Sequence, residues 1–285
     1  MDAKKWRERQ LKESTLGLGM MLPSFGVMLL IVFFPIGEAF ITSVKDSQGQ
    51  FTLTYYRQIF NDPYYSTNIF FTLRIMIFTM VLTLIFSYLI ALYTTFVKST
   101  LSRAVGLLCI FTRFVPGIAV VYGLMTILKD TGTLNRFFAQ LGSNFDPGLL
   151  YTAPGLIFLN VWFNVPFAAM IIGSSLVTIN PSLLESARDV GAGFRGIFFE
   201  LVWPLSYKAA LLAAVLVLMN TASAFTIPFL AGPNFPKMLG VALYQEFKVF
   251  YNPAMACALS VVMFAISSLG GFVYIYVQMK KDVWR

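Results

Sequence analysis

Six long apolar runs, separated by short polar segments, dominate the hydropathy pattern of this sequence. They cover about 16–44, 67–97, 104–128, 151–178, 205–230 and 253–278. An α-helix needs roughly 20 apolar residues to cross the hydrocarbon core of a bilayer, which is about 30 Å thick. The pattern therefore predicts an all-α integral membrane protein built as a bundle of six membrane-spanning helices.

Two of these runs carry a proline near the middle, Pro35 in the first and Pro116 in the third. Proline has no backbone N–H, and its ring clashes with the carbonyl group one turn earlier in a helix. Membrane proteins tolerate such breaks where neighbouring helices satisfy the freed backbone groups. We expect both helices to be interrupted at these prolines and still to span the membrane.

The composition supports a membrane protein and excludes several kinds of site. The chain is 58% hydrophobic and 12% charged, whereas roughly 25% charged residues is usual for a soluble domain. Cys109 and Cys257 lie inside apolar runs and there is no histidine, which excludes a disulfide scaffold, a zinc site and histidine-based catalysis. The net charge is +8, but the basic residues collect at the ends of apolar runs, which argues against nucleic-acid binding.

The placement of lysine and arginine predicts the orientation of the bundle. With the N-terminus in the cytoplasm, thirteen of these residues fall in cytoplasmic segments and six in external ones, as the positive-inside rule requires. Both termini are then cytoplasmic, with tails at 1–15 and 279–285 around a membrane domain at 16–278. The first run is long and lacks a small-residue cleavage site, so we expect a retained helix. No external segment is expected to exceed about 20 residues.

The cytoplasmic segment between the fourth and fifth runs carries helix signals of its own. Asn180 is a good N-cap, Pro181 suits the first helical position and Gly191 supplies a stop. A second short helix is predicted over about 194–202, ending ahead of Pro204. Two short helices at a membrane surface would form a knob that a partner outside the bilayer can grip.

Residues in this segment resemble the Glu-Ala-Ala…Gly…Leu-Pro loop of permease subunits of bacterial ATP-binding-cassette (ABC) importers. They are Glu185, Ser186, Ala187, Gly191, Ala192, Phe198, Leu201 and Pro204. Ser186 stands where the family usually has alanine. The resemblance implies that the loop 180–204 contains a coupling helix that docks into a groove on a cytoplasmic ATPase subunit. The residues to which it assigns coupling are Glu185, Ser186, Ala187, Arg188, Asp189, Gly191, Ala192 and Pro204.

Further segments are most similar to permeases of the spermidine/putrescine type, namely 122–135, 187–192 and 229–240. Permeases for phosphonates, iron complexes and sugars share parts of these patterns, so such solutes remain alternatives to a polyamine. The resemblance implies a subunit of a bacterial-type cytoplasmic membrane importer. Its implied partners are a second permease, identical or different, two ATPase subunits and an extracytoplasmic solute-binding protein.

The chain is expected to be a transport subunit and not an enzyme. It has no glycine-rich loop ending in Gly-Lys-Ser/Thr, so ATP and magnesium are expected on the partner ATPase and no cofactor in this chain. Gly191, Gly193 and Gly196 match the spacing of the dinucleotide fingerprint. That fingerprint works only after a strand, so we interpret these glycines as a turn between the short helices.

Six polar residues within the predicted spans are candidates for the lining of a translocation path. They are Arg74, Arg113, Asn160, Asn164, Asn220 and Ser223. A charge inside a span needs a partner or a wet cavity. Two other interpretations stay open for the arginines, since Arg74 could snorkel to the nearby surface and Arg113 could pair with carbonyls freed at Pro116. The amides could simply hydrogen-bond between helices.

A self-sufficient secondary carrier or channel is the alternative from another class. Carriers of that kind usually hold carboxylates within their spans, whereas Glu38 is the only acidic residue within any predicted span. The same scarcity argues against a deep polyamine site. It leaves three possibilities: selection by an external binding protein, acids from the partner permease, or an anionic solute attracted by Arg74 and Arg113. A membrane enzyme is disfavoured because no paired carboxylates or nucleophile arrangement is present.

Overall fold

The computed structural model describes residues 17, 19–46, 48–129, 131–142 and 148–279, so the predicted tails fall almost wholly outside the described residues. The described part is helical, and its only strand-like feature is one isolated bridge between Lys45 and Phe51. In chain order the helices are α1 (Gly19–Ser43), α2 (Thr54–Asn61), α3 (Pro63–Phe96), α4 (Thr100–Phe111), α5 (Gly117–Leu128), α6 (Thr133–Gln140), α7 (Ala153–Leu176), α8 (Pro181–Asp189), α9 (Phe194–Ala222), α10 (Thr226–Ala231), α11 (Leu239–Lys248) and α12 (Pro253–Met279).

The all-α membrane architecture is confirmed, and so is the interruption of the third predicted span at Pro116, while the count of six spans depends on whether the interrupted pair crosses the membrane. Among the described residues, α1, α3, α7, α9 and α12 are long and apolar enough to cross a bilayer. The third predicted span is a pair of helical segments, Thr100–Phe114 and Gly117–Gln140, bent by 112° at the predicted break. The bend lies at Pro116, and Val115 before it is extended, with φ −79° and ψ 124°. Proline disfavours the helical conformation in the residue that precedes it, which explains why the chain turns here.

Pro35 and Pro204 lie inside continuous helices, so the predicted breaks at Pro35 and ahead of Pro204 are wrong. Each lies two residues after the end of a π-helical stretch, Leu29–Phe33 in α1 and Ile197–Val202 in α9. A π-helical turn is wider than an α-helical turn. The extra width makes room for the proline ring where a regular turn would place the clashing carbonyl group.

The fifth span therefore differs from the one predicted. It starts at Phe194 instead of 205 and ends at Ala222 instead of 230, so the predicted second short helix is the first part of the span. The chain then breaks before the separate short helix α10. The segment between α9 and α12, residues 223–252, is longer than the limit expected for an external connection and holds α10 and α11.

Helices α3, α7 and α9 form the centre of the bundle. Ile75 in the first half of α3 packs with Leu156 near the start of α7, and Tyr88 and Ile172 share a cluster further along the same two helices. These contacts show that α3 and α7 run parallel. Ser206, in the first half of α9, hydrogen-bonds through Oγ to the Tyr88 hydroxyl, whereas Asn220, near the end of α9, bonds to Asn164 in the middle of α7. Helix α9 therefore runs antiparallel to both.

The bundle has two distinct ends. At the α8 end, Leu184 packs against a buried cluster that includes Ile179. At the opposite, α11 end, a second cluster joins Ile59 of α2, Tyr65 of α3 and Leu239 of α11. The two ends therefore present different short helices on one common core.

Candidate functional site

Helix α8 starts where the sequence predicts. The Asn180 side-chain oxygen Oδ1 accepts hydrogen bonds from the Ser182 backbone N–H at 3.0 Å and from the Ser182 hydroxyl at 2.9 Å. Pro181 occupies the first turn. The N–H that proline lacks has no acceptor within the helix at this position, so no helical hydrogen bond is lost. The N-cap prediction is confirmed.

The end of α8 is a Schellman motif. Gly191 has a φ of +84°, a left-handed conformation that glycine adopts without steric cost. Its N–H donates to the carbonyl of Arg188 at 2.9 Å, and the N–H of Ala192 donates to the carbonyl of Ala187 at 3.0 Å. These two bonds are the pair that defines the motif, so the helix stop predicted at Gly191 is confirmed.

One side of α8 faces the bundle and the other faces away. Leu184 packs against the core cluster and Ala187 is half-buried. The remaining residues predicted for coupling on this helix are exposed, namely Glu185, Ser186, Arg188 and Asp189. No ion pair joins these charges within the described residues, and Glu185 does not pair with Arg188. Helix α8 thus forms a ridge. One side packs on the bundle through Leu184, and the other side carries exposed charges that form no ion pair within the described residues.

Two large apolar side chains flank the glycine turn after α8. Val190 is 85% exposed and Phe194 is 80% exposed. Sequence reasoning missed both, although their positions on either side of the turn at Gly191 and Gly193 were a usable signal. Exposed apolar groups beside an exposed charged ridge are typical of a surface that another protein covers. Pro204, also predicted for coupling, is half-buried inside α9 and not on this ridge.

A cavity of about 940 Å³ lies where the α4–α5 break faces α7, α9 and α12. A smaller cavity of about 310 Å³ shares four of its lining residues. Together they are lined by five of the six candidates for a translocation path: Arg113, Asn160, Asn164, Asn220 and Ser223. The fold therefore brings residues of three separate spans to one place.

The three asparagines form a hydrogen-bonded chain at the wall of the smaller cavity. Asn220 Nδ2 donates to Asn164 Oδ1 at 2.8 Å, which joins α9 to α7. Asn164 Nδ2 donates to the carbonyl of Asn160 at 2.8 Å, and Asn160 Nδ2 donates to the carbonyl of Leu156 at 2.8 Å. The side chains thus bond between helices and also line the cavity, so the two interpretations of these amides are compatible.

Among the described residues, Arg113 is the one charged side chain in the lining of the two cavities. Its guanidinium carbon lies 4.7 Å from the ring centroid of Phe167, a distance at which a cation is attracted to the face of an aromatic ring. No aspartate or glutamate of the described part of the chain lines either cavity. The site is therefore suited to polar neutral groups or anions at this depth.

The structure does not bring Arg74 to this site. Arg74 is exposed on α3, with its guanidinium carbon 5.9 Å from the ring centroid of Phe78 on the same helix. It lines none of the cavities described above.

Comparison with known proteins gives sequence relatives and structural neighbours, while no family model matches the chain. It is 26% identical over 266 residues to the spermidine/putrescine transport system permease protein PotB of Escherichia coli (strain K12), covering 90% of this chain and 95% of that protein. It is 26% identical over 155 residues to the thiamine transport system permease protein ThiP of Brucella suis biovar 1, covering 54% of this chain and 28% of that protein. The resemblance seen in the sequence is confirmed by these relatives.

The fold matches a solved transporter. A chain of a bacterial alginate ABC transporter, crystallised with an alginate pentasaccharide-bound periplasmic protein, superposes with a TM-score of 0.80 at 18% identity, covering 95% of this chain and 98% of that one. At this identity the likeness shows the fold and does not identify the solute.

Proposed function

We propose that this chain is the permease subunit of an ATP-driven ABC importer that forms half of the translocation path for a small polar solute, with polyamines the favoured class. The observation that carries the proposal is α8, a capped helix at one end of the membrane bundle whose charged side points away from the bundle. The likeness to a polyamine permease along nine-tenths of the chain supports it.

Coupling follows from how α8 is attached. Leu184 ties the helix to a cluster that contains residues of α3, α7 and α9, so a force applied to the ridge reaches the centre of the bundle. ATP binding would close a pair of ATPase subunits, and α8 would pass that motion to the spans. The bundle then switches between inward- and outward-facing states, as a two-state element that ATP biases.

The cavity beside the α4–α5 break is the part of the path that this chain contributes. A second permease would complete the wall of this path. Arg113 and the Asn164–Asn220 pair provide the polar contacts, and Phe163, which lines both cavities, provides an apolar surface. An extracytoplasmic binding protein would deliver the solute at the α11 end.

A solute other than a polyamine is favoured by one observation. The residues that the structure places in the cavity lining carry a positive charge at Arg113 and no carboxylate, which suits a neutral or anionic solute such as a sugar or a phosphonate. A self-sufficient carrier is the further alternative, and it requires no ATPase partner.

Affinity purification of the full chain from native membranes tests the proposal. We expect an ATPase subunit and a second permease to co-purify, and the double variant Glu185→Lys with Gly191→Asp to lose the ATPase and ATP-driven uptake. Glu200→Lys is the matched control, because Glu200 is exposed on the neighbouring helix and lies outside the ridge. If the double variant keeps both assembly and uptake, α8 is not the coupling helix.

A further inference from the structure

A recess of about 540 Å³ opens at the α11 end of the bundle, opposite α8. It is lined by Asp62, Tyr64, Tyr65, Lys237, Gln245, Glu246 and Phe250. None of these residues lines the cavity beside the α4–α5 break. The recess is therefore a separate feature, at the end where an importer would receive its solute.

Glu246 is the most unusual residue of the recess, because its side chain is only 4% exposed. Its Oε1 accepts a hydrogen bond from the Tyr65 hydroxyl at 2.7 Å. In the described part of the chain no lysine or arginine forms an ion pair with it, and Oε2 receives no hydrogen bond. A buried carboxylate is costly unless a cation balances it. Because Glu246 lines the recess, this unbonded carboxylate oxygen is a place where a cation would be stabilised.

A second carboxylate lines the same recess. Asp62 caps α3 by accepting a hydrogen bond from the Tyr64 backbone N–H at 2.8 Å through one oxygen, Oδ1. Lys237 is the only basic residue in the lining, and among the described contacts it pairs with neither carboxylate. Two carboxylates against one lysine give the lining a net charge of −1.

Three aromatic residues, Tyr64, Tyr65 and Phe250, also line the recess. The rings of Tyr64 and Tyr65 meet edge to face with centroids 5.1 Å apart, and Phe235 stacks on Tyr64 at 5.8 Å. Phe250 lines the recess beside them. Aromatic faces attract cations, and more strongly where water is excluded. Carboxylates and aromatic rings in one recess are the combination that binds an organic ammonium group.

We infer that this recess is a receiving site for the ammonium group of a cationic solute, with Glu246 and Asp62 as the charged contacts. The inference rests on the proposed function and adds to it a cation subsite at the outer end. The inferred site also explains how a polyamine-type importer could bind a cation although no carboxylate of the described residues lines the cavity beside the α4–α5 break. The ammonium group would be held in the recess at the α11 end. The cavity beside the α4–α5 break would then supply neutral hydrogen-bonding groups and Arg113.

The test is equilibrium binding of radiolabelled putrescine to the purified full chain, with whatever subunits co-purify, without binding protein or nucleotide. We expect saturable binding that putrescine and spermidine compete for and that the uncharged 1,4-butanediol does not. Glu246→Gln keeps an acceptor for the Tyr65 hydroxyl but removes the charge, and should weaken binding by about tenfold or more, the loss expected for a charge-assisted hydrogen bond. Asp62→Asn keeps the N-cap and should weaken it less.

Asp46→Asn is the matched control. Asp46 is also at the α11 end but lines a different recess. Its Oδ1 accepts hydrogen bonds from the backbone N–H groups of Gln48 and Gln50, and the side-chain oxygen of asparagine can accept the same bonds. Its variant should bind putrescine as the parent does. Elution as a single species and an unchanged thermal midpoint establish that each variant is folded.

The two proposals fail in different ways. The receiving site is overturned if the parent chain does not bind putrescine, or if Glu246→Gln binds it with the same affinity as the parent. Either result holds whether or not an ATPase co-purifies. Glu246-dependent putrescine binding in a chain that has no ATPase partner keeps the site and rejects the importer.

Discussion

At the residue scale, the Asn164–Asn220 hydrogen bond has two separable roles, joining α7 to α9 and lining the cavity. Asn164→Ala and Asn220→Ala should each reduce uptake, and the double variant should lower stability by less than the sum of the two. The coupling between them should be about 0.6 kcal/mol, a typical value for hydrogen bonds between membrane helices. The measurement is a double-mutant cycle of thermal unfolding, with uptake followed at equal expression.

Ser174→Ala is the control for this pair, because Ser174 is exposed on α7, the helix of Asn164, and its hydroxyl donates a hydrogen bond to the carbonyl of Ile171 one turn earlier. If the asparagine variants transport like this control, the side chains are structural and do not contact the solute.

At the element scale, the function of α8 depends on its anchor to the bundle as much as on its exposed charges. Leu184→Ala should remove the contact with the core cluster at a cost of about 1 kcal/mol, since this leucine is only partly buried. We expect solute uptake per ATP hydrolysed to fall while the ATPase still co-purifies. The ratio is measured in proteoliposomes with the reconstituted complex.

The neighbouring Leu183 provides the matched control, because it is 44% exposed on the same helix. Leu183→Ala removes an equal number of atoms without touching the cluster and should leave the ratio unchanged. An effect that is equal in both variants would mean that α8 contacts the ATPase through its apolar residues and is not anchored through Leu184.

At the scale of the whole molecule, the orientation of the bundle follows from the charge bias and stays a prediction. Single cysteines at Ser182 in α8 and at Gln48 beyond α1 lie at opposite ends of the bundle and are both exposed. In a background without Cys109 and Cys257, a membrane-impermeant maleimide added to intact cells should label Gln48→Cys and spare Ser182→Cys. Opened cells should allow both to be labelled. The reverse pattern in intact cells would invert the bundle and remove α8 from the cytoplasm.

Local signals explain how much of this fold the sequence predicts. The spans were recognised because a long apolar run has few alternatives to crossing a bilayer. Both ends of α8 were recognised because Asn180, Pro181 and Gly191 act on backbone atoms within a few residues. The same reasoning failed at Pro35 and Pro204, where a π-helical turn absorbs the ring. Whether a π-helical turn forms ahead of a proline depends on how the surrounding helices pack. The presence of the proline in the sequence does not reveal it.

The sequence by itself determined that this protein is a helical membrane protein, where most of its spans lie and where α8 begins and ends, because hydropathy and helix caps act over short distances along the chain. Only the tertiary structure decided which polar residues meet. It joined Asn164 to Asn220, left Arg74 apart, and placed the Glu246 carboxylate against Tyr65, 181 positions away in sequence. Such contacts depend on how the helices pack and where the chain bends at Pro116, and no periodicity along the chain encodes them.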